Sequence, residues 1–170
     1  MSDVPGITEL IAVSARELGR SEYTGAQIEA ALGAAWGVDS QLIADGTCFV
    51  AEFGAQFVAC GGWSRRKTLF GGDQTAARNP EWLDPACDAA RIRAFFVHPD
   101  WARKGLGRAL LKRCEHELLA AGFRAAELVA TLPGEKFYRA LGYETGAAFD
   151  HLLPSEIKIR FVPMRKRFHP

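Results

Sequence analysis

The sequence predicts one α/β domain with a mixed sheet over residues 1–170. Three observations lead to it. Hydrophobic residues make up 48% and charged residues 24% of 170, the size and balance of a single globular core. The apolar pattern switches between helical and strand periods in the order ααββ–βαβα–β. No internal repeat, low-complexity segment or linker interrupts that order.

Taken in order, "ITELIAVSARELG" sets Ile7, Leu10, Ile11, Ser14 and Leu18 on one helical face. In "TGAQIEAALGAAWG", Thr24 and Gln27 have capping-box spacing, and Ile28, Leu32 and Trp36 recur every four residues. "TCFVAEF" and "QFVACGGW" are β-rich runs split by Gly54 and Ala55, the pattern of a hairpin. Residues 71–90 are rich in Gly, Pro, Asp and Asn, giving a long loop that is either functional or a surface insertion. "RIRAFFVHP" is a strand stopped by Pro99. The next helix carries Leu106, Leu110, Cys114 and Leu118 on one face and ends at Gly122. "AAELVATL" is a strand, "GEKFYRALGY" a short helix closed by Gly142, and "EIKIRFVPMRKRF" a last strand in which Pro163 signals an edge or bulge.

Net charge is +1, so no global field favours nucleic acid or an anionic membrane. A nucleic-acid binder would need a basic, aromatic-rich face, which this pattern does not offer. "MSDVPGITEL" has no basic segment followed by an apolar one, and no apolar run nears the ~18 residues that span a bilayer. Cys48, Cys60, Cys87 and Cys114 form no C-x-x-C pair and read as small buried hydrophobes, with no metal site. A cytoplasmic, reducing setting is the expectation.

"WARKGLGRAL", residues 101–110, places two glycines among cationic side chains where a strand gives way to a helix. Unpaired N–H groups and the helix dipole at such a turn attract anions, and glycines let backbone approach a phosphate. The N–H groups of Arg103, Lys104, Gly105, Leu106, Gly107 and Arg108 suit a pyrophosphate, with the cationic side chains adding charge-assisted bonds. The stretch is not a Walker A loop, and Leu110 stands where a dinucleotide fingerprint needs its third glycine. A purely structural turn is the alternative.

The stretch resembles the acyl-CoA loop of the GNAT superfamily of N-acetyltransferases. Val97, His98 and Pro99 match that family's strand end, and Gly105 and Gly107 its glycines; Ala102 stands where Arg or Gln is usual. A second motif, "TLPGEKFYRALGY", matches through Phe137, Tyr138, Gly142 and Tyr143, with Thr131 in place of a frequent Asn. The resemblance implies a central, mostly antiparallel sheet flanked by helices, with a splayed strand pair holding acetyl-CoA. It also implies transfer of the acetyl group to an amine, small molecule or peptide, by direct attack on the thioester, with no metal. On this mapping the backbone of Phe95, Phe96 and Val97 pairs with the pantetheine arm. An N–H near Val97 meets the oxyanion, a role worth ~3 kcal/mol.

The resemblance makes Tyr138 the general acid, and a phenol of ordinary pKa ~10 carries its proton at neutral pH. Packing or anchoring the sulfur is the alternative role. The base is open: Glu127, on the strand after the first motif, is the first candidate, and Glu22, Glu52, His98 and His151 are others. A one-residue register change would turn Glu127 to the other face. Arg65, Arg66, Lys67, Arg91 and Arg93 either meet an anionic group on the acceptor or form an exposed basic strand end. Trp63 and Tyr23 either line an apolar pocket or pack the core. Lys136 and Arg139 either meet the 3′-phosphate of CoA or are surface charges. Thr131 and Lys136 complete the expected CoA contacts. Many relatives form homodimers through terminal strands, and the tail "IRFVPMRKRF" fits that arrangement. The alternative to catalysis is an acyl-CoA-binding module that senses CoA or engages a partner.

Overall fold

The structure, a computed structural model, describes residues 3–75, 78–154 and 156–169. Residues 76 and 77, inside the 71–90 segment, lie outside that set. Three helices come first: α1 (Val4–Gly19), α2 (Gly25–Leu32) and the short α3 (Ser40–Ala44). The hairpin β1 (Cys48–Phe53) and β2 (Gln56–Ser64) follows. Then come β3 (Ala90–Val97), α4 (Leu106–Ala120), β4 (Ala125–Thr131) and α5 (Leu132–Arg139), with one 3₁₀ turn (Pro99–Trp101) after β3. The chain ends in β5 (Glu144–Thr145), β6 (Phe149–Leu152) and β7 (Lys158–Arg167).

Seven strands form one sheet in the order β1-β2-β3-β4-β7-β5, with β6 also on β7. Every pairing is antiparallel except β3 with β4. Helices cover both faces, and each face has its own core. Beneath α4 and α5 lie Trp63, Ile92, Leu111, Leu118, Phe123 and Leu128. Beneath α1 and α2 lie Leu10, Ile11, Ile28, Trp36, Ile159 and Phe161.

The feature that organises the molecule is the parallel pair. β3 and β4 are joined only at Ala90↔Ala126 and Arg91↔Glu127. Beyond that they diverge. A bulge in β3 accompanies the divergence: Cys60 pairs with Phe96 and Gly62 with Arg93, so one residue of β2 faces two of β3. The extra residue, Ala94, sits at φ +58°, strained for a side chain with a Cβ. Its carbonyl accepts the thiol of buried Cys60 at 3.4 Å.

Several sequence expectations need correction. Leu18 is 38% exposed, because on the last turn of α1 it lies at the wall of a cavity and not over the core. α2 stops at Leu32; Trp36 lies beyond it in a turn that still buries the indole. The Thr24 capping box is formed as the spacing predicts. Pro163 is neither an edge nor a bulge, since β7 runs inside the sheet between β4 and the β5/β6 pair. The proline falls where the outer partner changes from β6 to β5, and its carbonyl accepts the Gly146 N–H at 2.8 Å. There a missing N–H costs no ladder bond. Cys87 is exposed, not buried, because it lies on the loop before β3; all four thiols are free. That loop is not featureless: Lys67, Thr68 and Leu83 N–H groups bond to the carbonyls of Glu81, Asn79 and Arg65. α3, β5 and β6 were beyond the sequence pattern, being five, two and four residues long.

Candidate active site

The divergence of β3 from β4 opens a cavity of about 870 Å³. The turn 101–108, the end of β3, the second half of β4 and the start of α5 line one end. Tyr23, Trp36, Phe70 and Phe161 line an aromatic stretch that adjoins it, since Phe161 pairs with Thr131 and the Tyr23 hydroxyl accepts the Leu132 N–H.

At the turn end, Gly105 precedes α4 at φ +89°, a conformation that favours glycine. The first N–H groups of α4 have no helical acceptor, and the fifteen-residue helix sets its positive dipole end there. Gly107 is required for a different reason. A Cβ there would lie 3.3 Å from the Phe137 ring, so the glycine lets α5 close against α4. The two sequence motifs thus meet in space. Arg103, Leu106, Arg108, Thr131 and Lys136 line the same end. Thr131 caps α5, its Oγ1 accepting the Gly134 N–H at 3.3 Å. Lys104 is outside the lining; its ammonium stands 4.7 Å over the Trp101 ring. This end has the donor set that a pyrophosphate requires, and the splayed strands leave the unpaired backbone that an extended amide-bearing chain requires.

In the middle, Val97 pairs with Ala59 of β2, and its N–H turns away to donate to Ser14 Oγ at 3.3 Å. Ser14 is buried and lines the cavity. The sequence pattern placed Ser14 on the inner face of α1 but carried no signal of this contact. Phe95, Phe96 and Val97 all line the cavity. Tyr138 is buried among Phe95, Phe137 and Tyr143, with ring centroids 6.2, 4.9 and 5.7 Å away. Burial is the main cause that pushes its phenol well above the usual range, with the neighbouring Cys114 adding to it. Burial likewise pushes the Cys60 thiol up to about 12.

At the aromatic end, Tyr23 and Trp36 meet edge to face at 5.7 Å, and Phe70 and Phe161 at 5.6 Å. The Tyr23 hydroxyl donates to the Arg160 carbonyl at 2.7 Å and accepts the Leu132 N–H at 2.8 Å, tying α2's entry to β7 and α5. Trp63, by contrast, packs in the α4 core against Phe123. Arg93 belongs to this end. Its side chain is 1% exposed, pairs with Asp39 at 2.6 Å and donates to the Gly71 carbonyl at 2.6 Å. Arg78 joins Asp39 at 2.6 Å and Asp73 at 3.2 Å, so two carboxylates balance two guanidiniums. The other basic candidates are spent elsewhere. Arg66 pairs with Asp45, Lys67 with Glu81 and Arg139 with Glu135, and Arg65 lies over Trp82.

Glu127 is not in the cavity wall. It sits at the closed end of the strand pair, bonded to Arg91 and, at 2.8 Å, to Arg165. Its position opposite Arg91 is set by the one stretch where β3 and β4 pair. Glu22, Glu52, His98 and His151 are outside the wall too; His151 meets Phe70 edge to face at 5.1 Å. Among the described residues, the charged side chains that line the cavity are Arg93, Arg103, Arg108 and Lys136. No group of three metal-ligating side chains occurs among the described residues, and no helix among them is long and apolar enough to cross a membrane.

Comparison with known proteins bears on this geometry. Residues 44–145 match the model of the acetyltransferase (GNAT) domain. No curated protein sequence matches the chain. Among solved structures, a GCN5-related N-acetyltransferase from Rhodopseudomonas palustris is similar with a TM-score of 0.70 at 15% identity, covering 98% of this chain and 91% of that one. The PaiA N-acetyltransferase from Thermoplasma acidophilum, solved with coenzyme A, has a TM-score of 0.64 at 12% identity, covering 98% and 94%. A ribosomal-protein-alanine N-acetyltransferase from Brucella melitensis has a TM-score of 0.62 at 13% identity, covering 98% and 95%. At such identities the likeness carries the fold. The domain match, which spans α3's last residue to β5 and includes both glycine-turn and Phe-Tyr motifs, carries more: the chain belongs to the GNAT family of acetyltransferases.

Proposed function

We propose that the protein transfers the acetyl group of acetyl-CoA to an amine by direct attack on the thioester. One observation carries the reading: a single cavity joins the glycine turn, the splayed strand ends and Tyr138. Acetyl-CoA supplies the activated acyl group. The N–H groups of residues 103–108, with Arg103 and Arg108, hold its phosphates, and Lys136 adds charge nearby. The free edge of Phe95–Val97 aligns the pantetheine amides. The Val97 N–H, shared with Ser14 Oγ, faces the acyl oxygen.

Tyr138 holds the proton that the leaving sulfur takes. A phenol with a raised pKa is a poor acid toward a thiol in water. Here the sulfur leaves in the same buried surroundings, which raise thiols as well, as Cys60 illustrates. The two pKa values therefore rise together and proton transfer stays feasible. Glu127 has no place in this scheme, since two arginines hold it outside the cavity. A non-catalytic acyl-CoA-binding role has one observation in its favour, the cationic character of every charged lining residue. Thiol release from acetyl-CoA across a panel of amines tests the proposal. Turnover above the amine-free rate supports it, and acetyl-CoA binding with no turnover of any amine favours the binding module.

A further inference from the structure

The aromatic end of the cavity has a chemistry of its own. Tyr23, Trp36, Phe70 and Phe161 supply flat apolar faces, and small residues such as Ala15 and Gly71 also line the cavity. The charge in reach is the buried guanidinium of Arg93, whose Nε and Nη1 have no partner among the described residues. The carboxylates nearby, Asp39 and Asp73, are engaged by Arg78 and, for Asp39, by Arg93.

Acyl transfer needs an amine with a free lone pair. An alkylamine like a lysine side chain, with pKa ~10.4, is neutral in only about one molecule per thousand at pH 7.4. A site for such a substrate supplies negative charge to draw the ammonium in and a group to take its proton. This wall offers neither: no acidic side chain lines the cavity among the described residues, and Asp39 and Asp73 behind it are held by Arg93 and Arg78. An amine that is neutral at physiological pH requires neither aid. Once it has attacked, its nitrogen is acidic enough to give its proton to water. Aromatic walls recognise an aromatic body through buried area and edge-to-face contacts.

We propose that the acceptor is a small, weakly basic aromatic amine. The inference rests on the acyl-transfer reading above and narrows it. The bond balance is simple: nitrogen bonds to the acyl carbon, the carbon–sulfur bond breaks, and sulfur keeps the electron pair. The sulfur takes the Tyr138 proton, the nitrogen proton leaves to water, and Tyr138 is reprotonated from water. Nothing is oxidised or reduced.

The test compares acceptors with acetyl-CoA in excess: 4-methylaniline, the shape-matched benzylamine, spermidine and a peptide with an N-terminal alanine. The expected result is a kcat/KM for 4-methylaniline at least about tenfold above the others at pH 7. Its kcat/KM should stay flat from about pH 6.5 to 8.5 on the substrate side, because that amine is neutral throughout. Trp36→Ala should raise the KM for 4-methylaniline and leave acetyl-CoA affinity unchanged, with Trp36→Phe restoring most of the loss. Faster turnover of benzylamine, spermidine or the peptide overturns the inference and leaves acyl transfer standing. Acetyl-CoA binding without turnover of 4-methylaniline overturns it as well. Failure of acetyl-CoA to bind removes the reading beneath it, and calorimetry alone reveals that case.

Discussion

At one end of the cavity, residues 95–108 run almost continuously along the chain, and α5 adds a second local motif. At the other, Tyr23, Trp36, Phe70, Arg93 and Phe161 arrive from separate segments. The first end works through backbone: a left-handed glycine, unpaired N–H groups and a strand with a free edge. The second works through side chains, aromatic faces and one buried ion pair. Backbone chemistry of this kind is written in a short run of sequence; a wall of side chains is written only in the tertiary fold. The comparison implies that substitutions at the two ends separate donor affinity and chemistry from acceptor choice.

The largest expected effect is at the junction. Tyr138→Phe keeps the ring among Phe95, Phe137 and Tyr143 and removes the proton, so kcat should fall about a hundredfold. Acetyl-CoA affinity by calorimetry should hold. Unchanged turnover would remove Tyr138 from the chemistry. At the turn end, Gly105→Ala forces a Cβ into φ +89°, costing about 1–2 kcal/mol locally. That should weaken acetyl-CoA binding roughly tenfold, leave acceptor KM alone, and show in titrations of both ligands.

Legibility follows the same division. The hairpin, α4, α5 and the glycine-turn and Phe-Tyr motifs are legible because glycines, caps and apolar periods are local signals. The sequence reads Gly107 as a phosphate-approach glycine, yet the close contact it makes is with the Phe137 ring, thirty residues on. The family resemblance makes Glu127 the first base candidate by its strand alone; the register that sets it opposite Arg91 is not a local signal. Sequence alone leaves Arg93 either at an acceptor's anionic group or on an exposed basic strand end, and nothing within "RIRAFF" announces its buried pair with Asp39. Ser14 looked like one more inner-face residue of α1, and its contact with Val97 spans 83 positions.

Stability against alkali gives a smaller, graded effect that both ends share. Tyr23 is pushed up to about 12, chiefly by burial, and Tyr138 and Tyr143 are pushed higher still for the same main reason. The unfolded phenols ionise near pH 10, so above that pH the unfolded state holds fewer protons and stability falls as pH rises. Each tyrosine contributes up to about 1.4 kcal/mol per pH unit in that window and nothing below it. Urea midpoints at pH 9, 10 and 11 should fall with growing slope, and Tyr23→Phe should soften the slope. A flat profile would mean that the phenols are not buried as described.

The smallest expected effect is at Glu127. Glu127→Gln removes a partly exposed pair with Arg91 and Arg165, so stability should drop by no more than about 1 kcal/mol. Turnover should stay within about twofold, where loss of a general base would cost a hundredfold or more. A collapse of kcat with intact folding would put Glu127 back at the reacting centre.

The most direct test of the central claim is calorimetric titration of the purified protein with acetyl-CoA, with ATP and NAD as controls. A low micromolar Kd, ~−8 kcal/mol, for acetyl-CoA alone is the predicted result. Silence at millimolar acetyl-CoA, or equal binding of ATP and NAD, would contradict it and make the turn at Gly105 a purely structural one.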